Sequence, residues 1–515
     1  MDARTGDARG PGGPPGPPLG GGRLGPDLTT GPIGATLVLF ALPVLGSNML
    51  QSVSGSANAI WVSHVLGEAA LTATANANQI MFLMFGAIFG LSMASNIMIG
   101  QAIGAHDEAL TKRVIGTSTA FFLFVSLSMG LLGLILTPAI LTAMGTPPDA
   151  KRDAIAYLRV IFMAMPFMNF FTFMMMAQRG TGDSRTPLYF SILSVTIDLI
   201  LKPLLIIGWG PIPALGIAGS AYATLIANMV TLVAMMAHLY RRGSVLALRP
   251  SEFHLLIPNL TIVRSLVLKG VPMSFQMMVT SLAAVTVMSM VNRHGVHTSA
   301  AYGAAAQMWT FVQMPAMAIG AAVSSMAAQN VGAGRMDRVE KVAAAGAFWA
   351  VLFSGVPIVL IYLADPWVLQ AFLPSTSPSL PIAVHINSYV LWGFIPFGLA
   401  FVFSGIVRST GAVWPPLLAM IISLWGVRVP LANFLEPRLG ADAIWISYPA
   451  ASTVTLILAF SYYRWGGWRK SRMLPTTMTV TDEADTGFGA PSFEEAEAMA
   501  DAAAHAKPAE PAKAR

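Results

Sequence analysis

Two oppositely charged side chains lie four residues apart in the otherwise apolar stretch SILSVTIDLILKPLLII, where Asp198 precedes Lys202. On an α-helix this spacing puts both side chains on one face, one turn apart, where they can form an ion pair. An ionised carboxylate away from water is costly unless it is paired, hydrated or protonated. The chemistry that this pair indicates is reversible protonation of Asp198, or exchange of Lys202 for another cation. A fixed structural ion pair is the alternative.

Two more polar residues interrupt apolar stretches. Asn58, in SGSANAIWV, is expected to hydrogen-bond to a substrate or to the surroundings of Asp198, or else to join two helices. Arg428, in LWGVRVPL, is a second charge within an apolar span. For Arg428 we expect a structural role, in which carbonyl groups freed by Pro430 accept its hydrogen bonds.

The composition around these residues is that of a membrane protein. Of 515 residues, 55% are hydrophobic and 10% are charged, with a mean hydropathy of +0.65, whereas about 25% of the residues of a soluble protein are charged. Twelve stretches between residues 36 and 464 are long and apolar enough to cross a bilayer as helices. We therefore expect an all-α integral membrane protein with twelve transmembrane helices.

Positive charge is distributed unevenly between the connections. Those on the side of the N-terminus hold most of the Lys and Arg, and the other side holds only Lys151, Arg152, Arg293 and Arg438. By the positive-inside rule both termini are cytosolic, in a multi-pass protein of a bacterial-type inner (plasma) membrane. Residues 1–32 are rich in Gly and Pro, and residues 466–515 are charged and Ala-rich, so we expect disordered tails.

The chain repeats itself at an offset near 229 residues. LPVL around Pro43 matches VPMS around Pro272, QAIGA matches QNVGA, and RGTGDSRTPL matches RSTGAVWPPL. The repeat predicts two six-helix bundles, 33–240 and 267–465, joined by a cytosolic linker at 241–266. Because six is an even number, the two copies have the same orientation and are related by a pseudo-two-fold axis along the membrane normal.

The repeated loops, together with LGIAGSAYATLIA from Leu215 and LWGVRVPLANFL from Leu424, resemble the multidrug and toxic compound extrusion (MATE) family. The similarity covers about residues 33 to 465, in the same order and spacing in both halves. It implies two six-helix lobes that alternate access by rocking. It also implies an efflux antiporter that exchanges organic, often cationic and aromatic, compounds for protons or sodium.

The acids that the resemblance implies for ion coupling are replaced in this chain. Asn58 occupies the position of an acid in the first helix, and Thr280 the position of an acid that some members have in helix seven. DLILKP matches an Asn-x-x-x-Asp-Pro motif, so Asp198 stands at the asparagine position and Lys202 at the aspartate position. We expect Asp198, Lys202 and Asn58 to form the coupling site, with the choice between proton and sodium left open.

Side chains suited to a cavity for varied aromatic compounds occur within the spans. Flexible Met residues beside Phe, and Trp residues away from the membrane surfaces, suit such a cavity, although for the methionines lipid-facing filler is the preferred interpretation. The cavity candidates are Thr280, Gln276, Gln307, Gln313, Trp309, Trp392, Trp425, Met165 and Met168. Prolines inside the spans each remove a helix hydrogen bond and predict bends, at Pro43, Pro203, Pro272 and Pro430.

The sequence thus predicts a secondary active antiporter that exports cationic or amphipathic organic compounds of the multidrug type. A flippase or exporter of a lipid-linked or anionic metabolite is the alternative, because Lys202 replaces an acid. No HExxH, GxSxG or GxxxxGK[ST] motif and no cysteine occurs, so we expect no enzyme, no cofactor and no metal site. The expected partners are a small organic substrate and the bilayer, for a monomer that binds no nucleic acid.

Overall fold

Twelve helical segments of the described chain are long and apolar enough to cross a membrane, which confirms the predicted fold class. The computed structural model describes residues 25–473, apart from residues 67, 144, 147 and 209–212. The first half contains α1 (Ile33–Leu66), α2 (Glu68–Gly104), α3 (Glu108–Ala143), α4 (Pro148–Gly180), α5 (Arg185–Ile207) and α6 (Gly216–Arg242). The second half contains α7 (Leu260–Asn292), α8 (Val296–Gly332), α9 (Met336–Leu369), α10 (Ser379–Val390), α11 (Phe394–Ser409), α12 (Trp414–Ile421), α13 (Val429–Leu439) and α14 (Asp442–Trp465).

Two spans of the second half are interrupted without ending. A 3₁₀ turn at Leu391–Gly393 separates α10 from α11, and a π-helical segment at Ile422–Arg428 separates α12 from α13. In the π segment, the N–H of Val429 bonds to the carbonyl of Leu424, five residues earlier. Pro430 follows at once and has no N–H to donate. Such π turns are rare and often mark functional positions.

The other three predicted bend residues lie inside long helices, Pro43 in α1, Pro203 in α5 and Pro272 in α7. Each leaves one carbonyl without its usual helix donor. A bend at each of these positions stays a prediction.

The two copies of the repeat meet each other at one end of the protein. A Cβ on Gly104 would lie 1.9 Å from the carbonyl oxygen of Gln329, and a Cβ on Gly332 would lie 2.0 Å from that of Gln101. The side-chain bonds are reciprocal too, since Gln101 Nε2 donates to Ser409 O at 2.6 Å and Gln329 Nε2 donates to Gly180 O at 2.9 Å. The QxxGA glycines are therefore required for close backbone approach across the pseudo-two-fold axis. We call this the closed end.

The apolar cores show how the two halves diverge from the closed end. One core joins the start of α1, at Leu37 and Phe40, to α8 at Ile319 and Val323. Towards the opposite end, which we call the far end, each half has a core of its own. The halves are therefore held together mainly at the closed end.

Residues 25–32, assigned above to a disordered tail, are bound to the closed end through Leu28 and Thr29, which are buried. Leu28 is 1% exposed, its N–H donates to Gln329 Oε1, and its carbonyl accepts from Asn330 Nδ2. Arg335 Nη1 donates to the carbonyl of Thr29 at 2.8 Å. Leu28 is apolar enough to fill a pocket, and the turn at Gly31 then leads into α1. The rest of the predicted tail, 1–24, lies outside the described residues.

The predicted C-terminal tail also begins in packed structure. Trp468 is fully buried, and its Nε1 donates to the carbonyl of Tyr463 at 2.6 Å. Residues 474–515 lie outside the described residues. An aromatic residue just after the last span was the signal that the ordered chain continues beyond Trp465.

The connection between the halves is shorter than predicted and is anchored to α3. It spans residues 243–259 instead of 241–266 and contains a 3₁₀ helix, Pro250–Leu256. Lys112 Nζ lies 3.0 Å from Glu252 Oε2. Burial would raise the pKa of Glu252, but bonds from the Arg249 N–H and Lys112 outweigh it and hold the pKa below its usual value of 4.5.

Candidate functional site

Asp198 and Lys202 form the ion pair that their spacing predicts. Lys202 Nζ lies 2.5 Å from Asp198 Oδ2. The side chain of Lys202 is 3% exposed and that of Asp198 is 7% exposed. Asp198 lies thirteen residues after the start of α5 at Arg185, which is about 20 Å along the helix axis at 1.5 Å per residue. The pair is therefore deep within the span, on the far-end side of the first half.

Two neighbouring helices supply further donors to Asp198. Ser54 Oγ of α1 donates to Oδ2 at 2.7 Å, and Thr224 Oγ1 of α6 donates to Oδ1 at 3.0 Å. Lys202 and the two hydroxyls give the carboxylate three donors from three helices. All three contacts suit the ionised form, because an ionised carboxylate is only an acceptor. A change in the charge of Asp198 would therefore be felt by α1, α5 and α6 together.

Asn58 lies beside this group and contacts it through α6. Its Oδ1 accepts from Ser220 Oγ at 2.5 Å, and Ser220 is one helical turn before Thr224. Tyr157, which is 3% exposed, lies near the Asn58 side chain. The structure thus brings the three predicted coupling residues into one region, with Asn58 one residue removed from the carboxylate. Ser54, Thr224, Ser220 and Tyr157 were not predicted, because Ser, Thr and Tyr are common in membrane helices.

The second half contains a buried carboxylate that the sequence reading missed. Asp365 is 4% exposed and accepts from Asn387 Nδ2 at 2.6 Å, while Asn387 Oδ1 accepts from Trp309 Nε1 at 2.9 Å. Asp365 is absent from the predicted site residues because an acid beside an apolar stretch indicates the end of a span, but α9 continues to Leu369 and carries Asp365 inside the core. Asp198 is therefore not the only deeply buried acid. The Asp in the apolar run LIYLADPWVL was the available signal.

Arg428 is held differently from the way the sequence suggested. Arg428 is 9% exposed. Its guanidinium carbon lies 4.9 Å from the centre of the Tyr448 ring. Its Nε has no hydrogen-bond partner among the described residues. Arg428 is the last residue of the π segment. Its guanidinium contacts the face of the Tyr448 ring, and not the carbonyl groups that Pro430 was expected to free.

The cavity candidates are spread over different environments and do not form one cluster. Gln276 is buried, and its Oε1 accepts from Arg408 Nη1 at 2.9 Å. Trp309 donates to Asn387 within a core. Thr280 is exposed and contacts Met420. Of the others, Met165 is buried, Gln313, Trp425 and Met168 are half-buried, and Gln307 and Trp392 are exposed. Their role in lining a cavity stays a prediction, weakest for Gln276 and Trp309, whose polar groups are already bonded.

The MatE family model matches the chain twice, over residues 43–204 and 272–434, once in each half. The chain is 37% identical over 440 residues to the "Probable multidrug resistance protein YoeA" of Bacillus subtilis, covering 85% of this chain and 95% of that protein. It is 24% identical to the "FAD transporter" of Shewanella oneidensis, covering 77% of this chain and 86% of that protein.

Solved structures share the fold. A crystal structure of "MATE in complex with MaD3S" matches with a TM-score of 0.79 at 21% identity, covering 85% of this chain and 96% of that one. The two matched segments coincide with the two copies of the repeat that meet at the closed end. The chain belongs to the MatE family, the multidrug and toxic compound extrusion transporters.

Proposed function

We propose that this chain is a secondary active efflux antiporter, which exports amphipathic organic compounds across a bacterial inner membrane in exchange for protons. Both termini are cytosolic in this proposal, so the closed end faces the cytosol. The observation that carries the proposal is the buried Asp198–Lys202 pair with its donors on α1 and α6. A multidrug resistance protein as a 37% identical relative supports the efflux of organic compounds.

We place the coupling step at protonation of Asp198, which would break the balance of charge in this site. A neutral carboxyl no longer balances the ammonium of Lys202, so Lys202 is left as a buried cation without its counter-charge. Moving Lys202 towards water relieves this cost and changes the packing of α5 against α1 and α6. A proton thereby favours a second arrangement of the first half through a differential interaction with the two states. Opening of the closed end must in turn break the reciprocal contacts of Gln101 and Gln329.

Sodium is the alternative coupling ion. It would have to displace Lys202, whose ammonium already occupies the cation position beside Asp198. Such displacement exchanges one cation for another and leaves Asp198 ionised. The two ions therefore differ in whether transport depends on pH or on sodium.

A second candidate function is the export of an anionic or lipid-linked metabolite. Lys202 stands where the family resemblance implies an aspartate, so the first half carries no unbalanced negative charge at this position. The relative named "FAD transporter" also supports an anionic compound. The two candidates predict opposite preferences between an aromatic cation and an aromatic anion.

The test is flux in proteoliposomes containing the purified chain, with ethidium as the aromatic cation and riboflavin 5′-phosphate as the aromatic anion. Each compound is offered under a proton gradient, a sodium gradient or neither. We expect proton-driven flux that Asp198→Asn lowers at least tenfold, because Asn cannot take up a proton. Asp153→Asn, at an exposed acid of α4, is the matched control and should transport normally. Undiminished proton-driven flux in Asp198→Asn, with normal protein yield, would contradict the proposal.

A further inference from the structure

Arg428 is a buried cation that has no anionic partner among the described residues. It is 9% exposed, and its Nε is buried without a hydrogen bond. The ion pairs found in the described chain involve other residues, such as Asp198 with Lys202. A buried charge without a partner is strongly unfavourable, and charges inside membrane helices usually face a pathway or cavity.

The repeat places Arg428 at the position that Asp198 occupies in the first half. The offset of 229 leads from Asp198 to Val427, and the wider π turn before α13 adds one residue, which moves the equivalent position to Arg428. A Leu-Gly pair stands at the start of each following helix, at Gly216, the first residue of α6, and at Gly440, two residues before α14. Both glycines have positive φ, 55° at Gly216 and 57° at Gly440. The structural equivalence thus has a landmark in each half.

The contacts of the two charges agree with this equivalence. Counting eight residues from each glycine gives Thr224 in α6 and Tyr448 in α14. Thr224 bonds to Asp198, and Tyr448 lies against Arg428. The two halves therefore present charges of opposite sign at equivalent places. In the first half that charge is balanced by Lys202, and in the second half it is not.

An aromatic group fixes the guanidinium in place. Tyr448 stacks on Trp309 at a centroid distance of 6.3 Å and lies 5.0 Å from the ring centre of Phe394. These rings hold Tyr448 in the core, so the face that it offers to Arg428 does not move freely. The guanidinium makes no hydrogen bond to another described residue, so its parallel N–H groups are not already committed and can bind a planar anionic group.

We propose that Arg428, supported by Tyr448, binds the anionic group of the transported compound, a carboxylate or a phosphate carried on an aromatic or amphipathic body. This inference deepens the proposed efflux function and rests on it. The ligand group supplies the missing counter-charge during transport and leaves again with the compound. Arg suits both groups because its fork makes two parallel hydrogen bonds, which a Lys ammonium cannot make.

Equilibrium binding to the purified full-length chain in a neutral maltoside detergent tests the site, by calorimetry with two matched probe pairs. The pairs are riboflavin 5′-phosphate with riboflavin, and 2-naphthoate with 2-naphthamide. We expect each anion to bind at least tenfold more tightly than its neutral counterpart. If neither pair shows a preference for the anion, the proposal is overturned.

Three variants assign the preference to Arg428. Arg428→Gln should abolish it while changing the Kd of the neutral probes less than threefold. Arg428→Lys should lower it at least threefold, because the charge stays but the fork is lost, and this variant decides the matter if Arg428→Gln fails to fold. Arg159→Gln, at an exposed arginine of α4, is the matched control. An unchanged preference in a folded Arg428 variant, or an equal loss in Arg159→Gln, would overturn the assignment.

Phosphatidylglycerol added to the micelles distinguishes the two sources of a phosphate. If phosphatidylglycerol competes with riboflavin 5′-phosphate, a lipid headgroup is a ligand of the site. If it does not compete, the ligand is a water-soluble compound. Either result supports an anion site provided that Arg428→Gln removes the preference. Because binding in detergent needs no gradient, a missing preference leaves coupled efflux standing. If the chain transports neither compound but still prefers the anion in the binding assay, the proposed efflux is overturned and the anion site is not.

Discussion

Removing either partner of the Asp198–Lys202 pair should cost much more stability than removing both. The pair is 3–7% exposed, and loss of one partner of such a buried pair costs about 3–5 kcal/mol because the other charge stays uncompensated. In Asp198→Asn the amide oxygen can still accept from one of the two hydroxyls, which donate to different oxygens of Asp198, and the other hydroxyl can turn to accept from the amide NH2. We therefore expect the lower value, about 3 kcal/mol. In Lys202→Met the two hydroxyls still donate to Asp198, and we again expect about 3 kcal/mol.

The double variant Asp198→Asn/Lys202→Met leaves no buried charge at this place. Replacing a whole buried ion pair is often nearly neutral, so we expect the double variant to lose less than about 1.5 kcal/mol. The free energy of unfolding can be measured by reversible unfolding in mixed dodecyl sulfate and maltoside micelles at pH 7, followed by the fluorescence of the 11 tryptophans.

The pair between Arg469 and Glu340 is the control, because its side chains are 39% and 53% exposed. Exposed pairs contribute only about 0–1 kcal/mol, so single and double variants there should differ little. Additive losses at Asp198 and Lys202, to within about 0.5 kcal/mol, would refute the reasoning.

Three further predictions concern the closed end and its surroundings. Gly104→Ala would place a methyl group 1.9 Å from the carbonyl oxygen of Gln329, so the closed end should open. Ser325 of α8 is 1% exposed there and accepts a hydrogen bond from Asn96 of α2. Since the chain has no cysteine, thiol labelling of Ser325→Cys should be at least fivefold faster when Gly104→Ala is also present. Leu28→Ala should lower the free energy of unfolding by about 2–3 kcal/mol, because the side chain is 1% exposed, and an unchanged unfolding curve would show that residues 25–32 do not hold the closed end. The pKa of Glu252 is lower in the folded than in the unfolded chain, so its contribution to stability is present above pH 4.5 and is lost as the pH falls through the folded pKa. Glu252→Gln should remove this loss of stability at acid pH, which is less than about 1 kcal/mol. Unfolding curves at pH 3 to 7 measure it.

Much of the fold could be read from the sequence because its causes are repetitive. The bilayer requires long apolar helices, and loops that match in the same order at an offset near 229 residues predict two bundles. The spacing of Asp198 and Lys202 sufficed for their ion pair, since the partners lie on one helix and need no tertiary information. Local rules and the repeat thus account for the elements and for one half of the candidate site.

Other features depend on packing between elements distant in sequence. The backbone of Leu28 is bound by the side chains of Gln329 and Asn330, some 300 residues away, which no local pattern reveals. Asp365 was missed because a charged residue was taken as the end of a span. Tyr448 became the neighbour of Arg428 through the register of α14, whereas the sequence pointed only to the adjacent Pro430.

The central claim is that a proton bound at Asp198 is exchanged for the exported compound, and proton movement itself tests it most directly. Proteoliposomes loaded with the pH indicator pyranine, without an imposed gradient, are given riboflavin 5′-phosphate or ethidium on one side. The account predicts a substrate-dependent pH change inside the vesicles for the unaltered chain, and none for Asp198→Asn. Substrate flux without any proton movement, or an equal pH change in Asp198→Asn, would contradict it.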